Sequence, residues 1–191
     1  MNITSFVFYC FIVTFTPGPT NIVILSTVNN SGTKKAIEYT YGATIAFGLL
    51  LAISAMLNTI LVTIIPKILI IMQIFGSFYM LYLAYQIYKM DSSKPTVNQT
   101  GTFMSGFLTQ FLNPKVVVFT MTVIPTYIMP YYVSIPAVTI GVIAITVIGF
   151  LAFVTWVLFG TIFKEFLQQH KKIVNVLMAL FLVYAAIMIW M

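Results

Sequence analysis

The chain has 191 residues, of which 61% are apolar and 6% charged, where an ordinary soluble domain carries about 25% charge. That composition excludes a water-soluble fold and predicts a chain solvated by lipid. Nine lysines, no arginine, three acids and one histidine give a formal net charge of +6, so the side chains that hydrolases and metalloenzymes draw on are nearly absent and no enzymatic activity is expected.

One bilayer crossing needs about 20 consecutive, mostly apolar residues. Charge-poor stretches of that length place six helices at roughly 3–28, 39–64, 68–88, 103–124, 137–162 and 173–190. The first has no basic segment ahead of it and is long enough to span, so it reads as a retained helix rather than a signal peptide. It holds Cys10, which as the single cysteine excludes an intrachain disulfide or a multi-thiolate metal site and is expected to serve packing. Pro17 and Pro19 lack backbone N–H groups and flank Gly18, which offers no Cβ against unwinding, so this helix is expected to break there. In the third span Tyr79, Tyr82 and Tyr85 recur every three residues and are expected to form one packing stripe. The fourth carries Asn113-Pro114-Lys115, a second helix-breaking cluster. The uncharged stretch 116–163 contains Pro125, Pro130 and Pro136 and so holds parts of two helices. Trp156, like Tyr85 and Tyr88, is placed near an inner membrane interface. His170, beside Lys171 and Lys172, reads as a solvated turn residue.

The lysines orient the bundle. With six spans, Lys34, Lys35, Lys89, Lys94, Lys164, Lys171 and Lys172 fall on one side and only Lys67 on the other. Basic connections stay in the cytoplasm, so both termini are expected outside. The chain is then one transmembrane domain, 1–191, with a first three-helix half (1–89), a polar cytoplasmic linker (90–102) and a second half (103–191). Three crossings is an odd number, so the halves run in opposite directions as inverted-topology repeats. Phe15-Thr16-Pro17-Gly18-Pro19 and Phe111-Leu112-Asn113-Pro114-Lys115 echo each other across that symmetry, which leaves helices 1 and 4 both broken.

Broken backbone in hydrocarbon must be buried in protein or line a polar cavity. The half-helix beginning at Pro19 leaves the N–H groups of Thr20, Asn21 and Ile22 free, and its positive dipole end suits an anion such as a carboxylate. Lys115 lies twelve residues into span 4, and no Asp or Glu lies within a predicted span core to pair with it. An ammonium placed there costs roughly 2.5–3.5 kcal/mol on insertion scales unless it is paired or hydrated. Its expected partner is a substrate carboxylate, helped by carbonyls freed around Asn113 and Pro114. Asn21, Gln110 and Asn113 flank the breaks and can offer oxygens to a substrate ammonium. The expected substrate-binding set is Pro17, Gly18, Pro19, Thr20, Asn21, Gln110, Asn113, Pro114 and Lys115. No metal-binding or catalytic set is expected.

Four segments, FTPGPTNIVILSTVNNSG from Phe15, GATIAFG from Gly42, GSFYMLYLAYQIYK from Gly76 and FMSGFLTQFLNPKVVVFTMTVIPTYI from Phe103, resemble the LysE type amino-acid translocators, the lysine and homoserine/threonine exporter family. The resemblance covers roughly residues 11–128. It implies a six-helix fold of two inverted halves, export of amino acids or small relatives from the bacterial cytoplasm, and a proton-motive drive without a bound cofactor. Where many members carry a Lys three residues before the span 3 glycine, this chain has Gln73 before Gly76, which removes a second buried cation. The first loop has Lys34 and Lys35 where Arg is frequent. One cysteine and one histidine speak against branches that move disulfide reductants, soft metals, nickel or cobalt.

The expected function is secondary active export of amino acids or closely related small metabolites across the bacterial cytoplasmic membrane by alternating access. A cationic side chain would want a buried acid, and none is available, so neutral substrates are favoured. The alternative is a non-transporting membrane assembly or lipid-binding module, for which small-residue spacings such as Gly42 and Ala46 permit helix association. The expected partners are the bilayer and an amino-acid substrate, with a homo-oligomer left open. Nucleic acid is excluded, because topology accounts for the lysines and no arginine is present to fork onto phosphate.

Overall fold

The computed structural model of the chain describes residues 3–89, 101–188 and 190, apart from the side chains of 58–69 and 72. All regular elements among them are helical: α1 (Ile3–Phe15), α2 (Pro19–Ser31), α3 (Thr33–Tyr88), α4 (Phe103–Leu112), α5 (Pro114–Val123), a π-helical turn (Ile124–Ile128), α6 (Ile135–Ile162), α7 (Lys164–Gln169) and α8 (Lys171–Met188). The expected linker, with Asp91 and Lys94, lies outside the described residues except at Gly101 and Thr102.

Prolines set most of the boundaries. α1 makes its last backbone bond from Thr16 N to Ile12 O at 3.2 Å, after which Pro17 has no N–H to continue the ladder. Pro19 and Pro114 occupy the first turns of α2 and α5, where a missing N–H costs nothing. The residue before each is extended, Gly18 at φ −165° and Asn113 at φ −93°, as a following proline ring requires. Pro125 does not end its helix, contrary to the boundary expected at 124. The chain widens instead into the π-helical turn, in which Met129 N reaches back five residues to Ile124 O at 3.0 Å, so the ring fits without a break. The connection expected between the last two spans is itself helical over its first part, as α7.

Three helices are long and apolar enough to cross a bilayer: Thr33–Leu57, Ile135–Ile162 and Lys171–Met188. Two bent pairs qualify as broken spans, α1 with α2 at 47° and α4 with the run from Pro114 to Ile128 at 69°, which brings the number to five. The expected second and third spans fall within one helical element, α3. Its two ends nevertheless share a core, because Ala36, Tyr39 and Ala43 pack in one cluster with Leu83, Ala84 and Ile87. A straight helix would hold Tyr39 and Ile87 about 70 Å apart at 1.5 Å per residue. Residues 33–57 and 70–88 therefore act as two arms lying side by side.

The bundle buries two larger apolar cores and a small one of Leu50, Val117 and Met121. One joins α2, both arms of α3, the end of α6, α7 and α8 through residues such as Val23, Val28, Ile87, Phe153 and Leu182. The other joins α1, the first arm of α3, α5, the π-helical turn and α6 through Phe6, Cys10, Phe47, Phe119, Ile124 and Ile145. Cys10 is fully buried there, in the packing role expected of it. The outer surface is as apolar as the cores, with Ile143, Leu151, Leu158, Leu177 and Leu180 all more than half exposed, which suits hydrocarbon rather than water.

Two ends of the bundle can be told apart. At one, Thr33 Oγ1 meets Thr161 Oγ1 at 3.1 Å, Asn30 meets Asn175, and Gly101 packs on Thr27 and Lys35. At the other, Phe6 lies with Ile128, Tyr132 and Ala137. Lys34, Lys35, Lys89, Lys164, Lys171 and Lys172 sit at or within a few residues of the first.

The closest backbone approach is between α4 and the first arm of α3. A Cβ on Gly106 would overlap the carbonyl of Tyr39, and one on Gly42 the carbonyl of Phe103. Gly106→Leu is expected to lower stability by about 1–3 kcal/mol through forced separation of the two helices. Thermal unfolding of purified protein in detergent measures the change.

Candidate functional site

The two breaks face each other, and side chains from three elements knit them together. α1 ends with four carbonyls that have no helical partner. Asn21 Nδ2, from α2, donates to Thr14 O at 3.0 Å and Thr16 O at 2.9 Å. Trp156 Nε1, from α6, donates to Phe15 O at 3.1 Å. Lys115 Nζ, from α5, donates to Thr16 Oγ1 at 2.9 Å, Thr16 O at 3.3 Å and Pro17 O at 3.4 Å. Every carbonyl from Thr14 to Pro17 thus has a donor, and the ammonium rests at the negative end of the α1 dipole, where a cation is favoured.

The opposite side of the same break is left open. Gly18 supplies no side-chain cap to α2. Ile22 N bonds to Gly18 O at 2.9 Å, so of the three N–H groups expected to be free, those of Thr20 and Asn21 alone meet no acceptor among the described residues. The second break is closed differently: Asn113 Oδ1 accepts from Lys115 N at 3.2 Å and caps α5.

Between the breaks, Thr20 Oγ1 accepts from Gln110 Nε2 and from Asn113 Nδ2, each at 3.1 Å. These side chains are buried, Gln110 completely. Two acceptors in the cluster, Asn21 Oδ1 and Gln110 Oε1, have no partner.

A cavity of about 610 Å³ opens onto this junction. Its floor is Pro17, Gly18, Pro19, Asn113, Pro114 and Lys115. Its walls are Tyr9, Val13, Gln73, Met80, Val118, Phe119, Phe181, Tyr184, Ala185 and Met188. Met188 closes α8, so the cavity extends toward the bundle end away from the lysine-rich one. Behind the floor is a second space of about 30 Å³, room for about one water, bounded by Thr20 and Asn21 and sharing Gly18, Asn113 and Lys115 with the first. Gly18 matters here for its size, since a Cβ would stand 3.3 Å from Lys115 Nζ.

Eight of the nine expected residues therefore bound one or both spaces, and Gln110 supports them from behind through Thr20. One detail differs from expectation. The carbonyls that receive Lys115 come from Thr16 and Pro17, not from around Asn113 and Pro114, because the side chain extends across to the other break. Tyr79, Tyr82 and Tyr85 do not form one stripe: Tyr79 bonds inward to Thr109 Oγ1 at 3.2 Å, while Tyr82 and Tyr85 are about half exposed or more. Trp156 does not serve as an interface anchor but holds the break. Sequence reasoning also missed the α8 wall, since nothing in a lone sequence separates Phe181 and Tyr184 from lipid-facing neighbours. Gln73 does reach the cavity.

Apolar helices of spanning length, broken at two facing prolines around a cavity, define a multi-pass membrane transporter rather than an enzyme. Residues 11–191 match the LysE type translocator family, and the chain belongs to it. It is 30% identical over 190 residues to a cysteine/O-acetylserine efflux protein of Klebsiella pneumoniae, covering 98% of this chain and 96% of that one. It is 26% identical over 189 residues to a protein of the same name from Escherichia coli K12, covering 98% and 97%. No solved structure matches the chain.

The hydroxyl of Thr20 joins the breaks, which gives a test. Thr20→Val would orphan the buried amides of Gln110 and Asn113 and is expected to lower stability by about 1–3 kcal/mol. Thr20→Ser should retain most of it. Detergent thermal melts of both variants distinguish them.

Proposed function

We propose that the chain exports neutral amino acids, or small relatives of them, through a site at the two breaks. The observation that carries this reading is the asymmetry of the first break: its carbonyl end is closed by donors, and its amide end is open. A ligand group at that junction is therefore offered N–H donors and an ammonium, which suits a carboxylate. The unpartnered oxygens of Asn21 and Gln110 are set to receive the substrate's ammonium once the cluster opens. A zwitterion has both groups.

The walls support neutrality of the side chain. No Asp or Glu lines the cavity, and its surface is mostly apolar or aromatic. A thiol or a short ester would be accepted, which agrees with the names of the relatives.

The working cycle in this reading is alternating access in a six-span bundle of two inverted three-helix halves. The lysine-bearing end faces the bacterial cytoplasm, both termini lie outside, and the proton-motive force is the drive. Lys115 leaves Thr16 and Pro17 for the arriving carboxylate, so binding loosens the break that must move.

Counterflow in proteoliposomes tests this. Cysteine, O-acetylserine and other neutral amino acids are expected to exchange with a labelled neutral substrate, and lysine is not. Lys115→Met should reduce exchange at least tenfold per folded protein, and a pH gradient should accelerate net flux. Equal exchange by parent and Lys115→Met would show that the carboxylate site lies elsewhere.

A further inference from the structure

The 610 Å³ cavity stops at the breaks. From there to the lysine-bearing end runs α2, with every residue from Pro19 to Asn29 buried. A helix enclosed on all sides within a membrane protein is ordinarily apolar all round. This one carries Thr20, Asn21, Ser26, Thr27, Asn29 and Asn30. Thr27 is satisfied within the helix, by Val23 O at 2.7 Å. Asn29 is not: it is 3% exposed, and neither its donor nor its acceptor has a partner among the described residues. Thr40 Oγ1, 1% exposed on the first arm of α3, also lacks one. The chain reverses at Gly32, which sets Thr40 roughly level with the middle of α2. Asn21 Oδ1 and Gln110 Oε1 are orphans at the break, and the stretch of α2 from Asn21 to Asn29 is about 12 Å long, eight residues at 1.5 Å each.

At the lysine-bearing end of α2, Asn30 Nδ2 donates to Ser26 O at 2.9 Å, Ser26 Oγ at 3.2 Å and Asn175 Oδ1 at 3.3 Å, and Asn175 Nδ2 returns a bond to Asn30 Oδ1 at 3.5 Å. This reciprocal amide pair joins α2 to α8 one turn from the lysine-rich loops. Such a pair is uncharged, so it can be exchanged for water on either side at little cost.

We infer that the polar groups set along α2 and beside it mark the closed second half of the conduction path, and that Asn30 with Asn175 is its gate. The path takes water and a zwitterionic solute, both of which can satisfy the orphaned amide and hydroxyl groups without a fixed counter-charge. In the opposite state of the cycle Asn29 and Thr40 line a vestibule open to the lysine-bearing side. The inference rests on the breaks being the substrate site, but its test does not require substrate.

Full-length protein carrying Cys10→Ala receives a single cysteine by Asn29→Cys, or by Val28→Cys as a fully buried apolar neighbour on the same helix. Vesicles of each orientation are treated with a membrane-impermeant cationic thiol reagent. Asn29→Cys should react only from the lysine-bearing side, and at least fivefold faster when combined with Asn175→Leu or, should that variant not fold, Asn30→Ala. Val28→Cys should stay unreactive throughout. Failure of Asn29→Cys to react with either gate variant, or reaction no faster than Val28→Cys, overturns the path. Lys115→Met measured for flux in parallel separates the two readings. Lost flux with no labelling removes the path and its gate while the carboxylate site stands, and labelling with undiminished flux removes the carboxylate site while the path stands.

Discussion

The whole arrangement depends on how a helix can stop in the middle of a bilayer. Hydrocarbon offers no hydrogen bonds, so each carbonyl released by the Pro17-Gly18-Pro19 break needs a donor from protein. Asn21, Trp156 and Lys115 provide them from three different helices, and the break is therefore also the point at which α2, α5 and α6 are tied together. A single kink would not have done this. The proposed ligand chemistry rests on what is left over: two backbone amide groups, a cation and two side-chain amide oxygens.

The two apolar cores explain why the polar junction can sit where it does. α1 packs in one core and α2 in the other, so the break coincides with the boundary between them. Thr20, Asn21, Gln110 and Asn113 occupy that boundary: Gln110 and Asn113 donate to the Thr20 hydroxyl, and Asn21 donates to the carbonyls of Thr14 and Thr16.

Much of this was legible from the residues alone. Lack of charge gave the helices, prolines gave both breaks, and the isolation of Lys115 pointed to the junction. What was not legible depended on long-range direction. A side chain as long as lysine can cap its own helix or another, and only the fold shows that it crosses to Thr16 and Pro17. Trp156 lies more than forty residues from either break and has the composition of an ordinary interface aromatic. Tyr79 and Tyr82 are three apart yet face different surroundings, since a three-residue step rotates 60° away from a full turn and the first arm of α3 covers only part of that arc.

The cavity has an electrical consequence. In the proposed cycle it brings the medium of one bulk phase as far as the breaks, and the insulating part of the protein is then the closed stretch along α2. A membrane voltage then drops over a length well below the roughly 30 Å of hydrocarbon, and the local field steepens in proportion. A solute with equal positive and negative charge crosses that drop without net electrical work, whereas any unbalanced charge carried through it would feel nearly the full potential, about 2.3 kcal/mol per 100 mV.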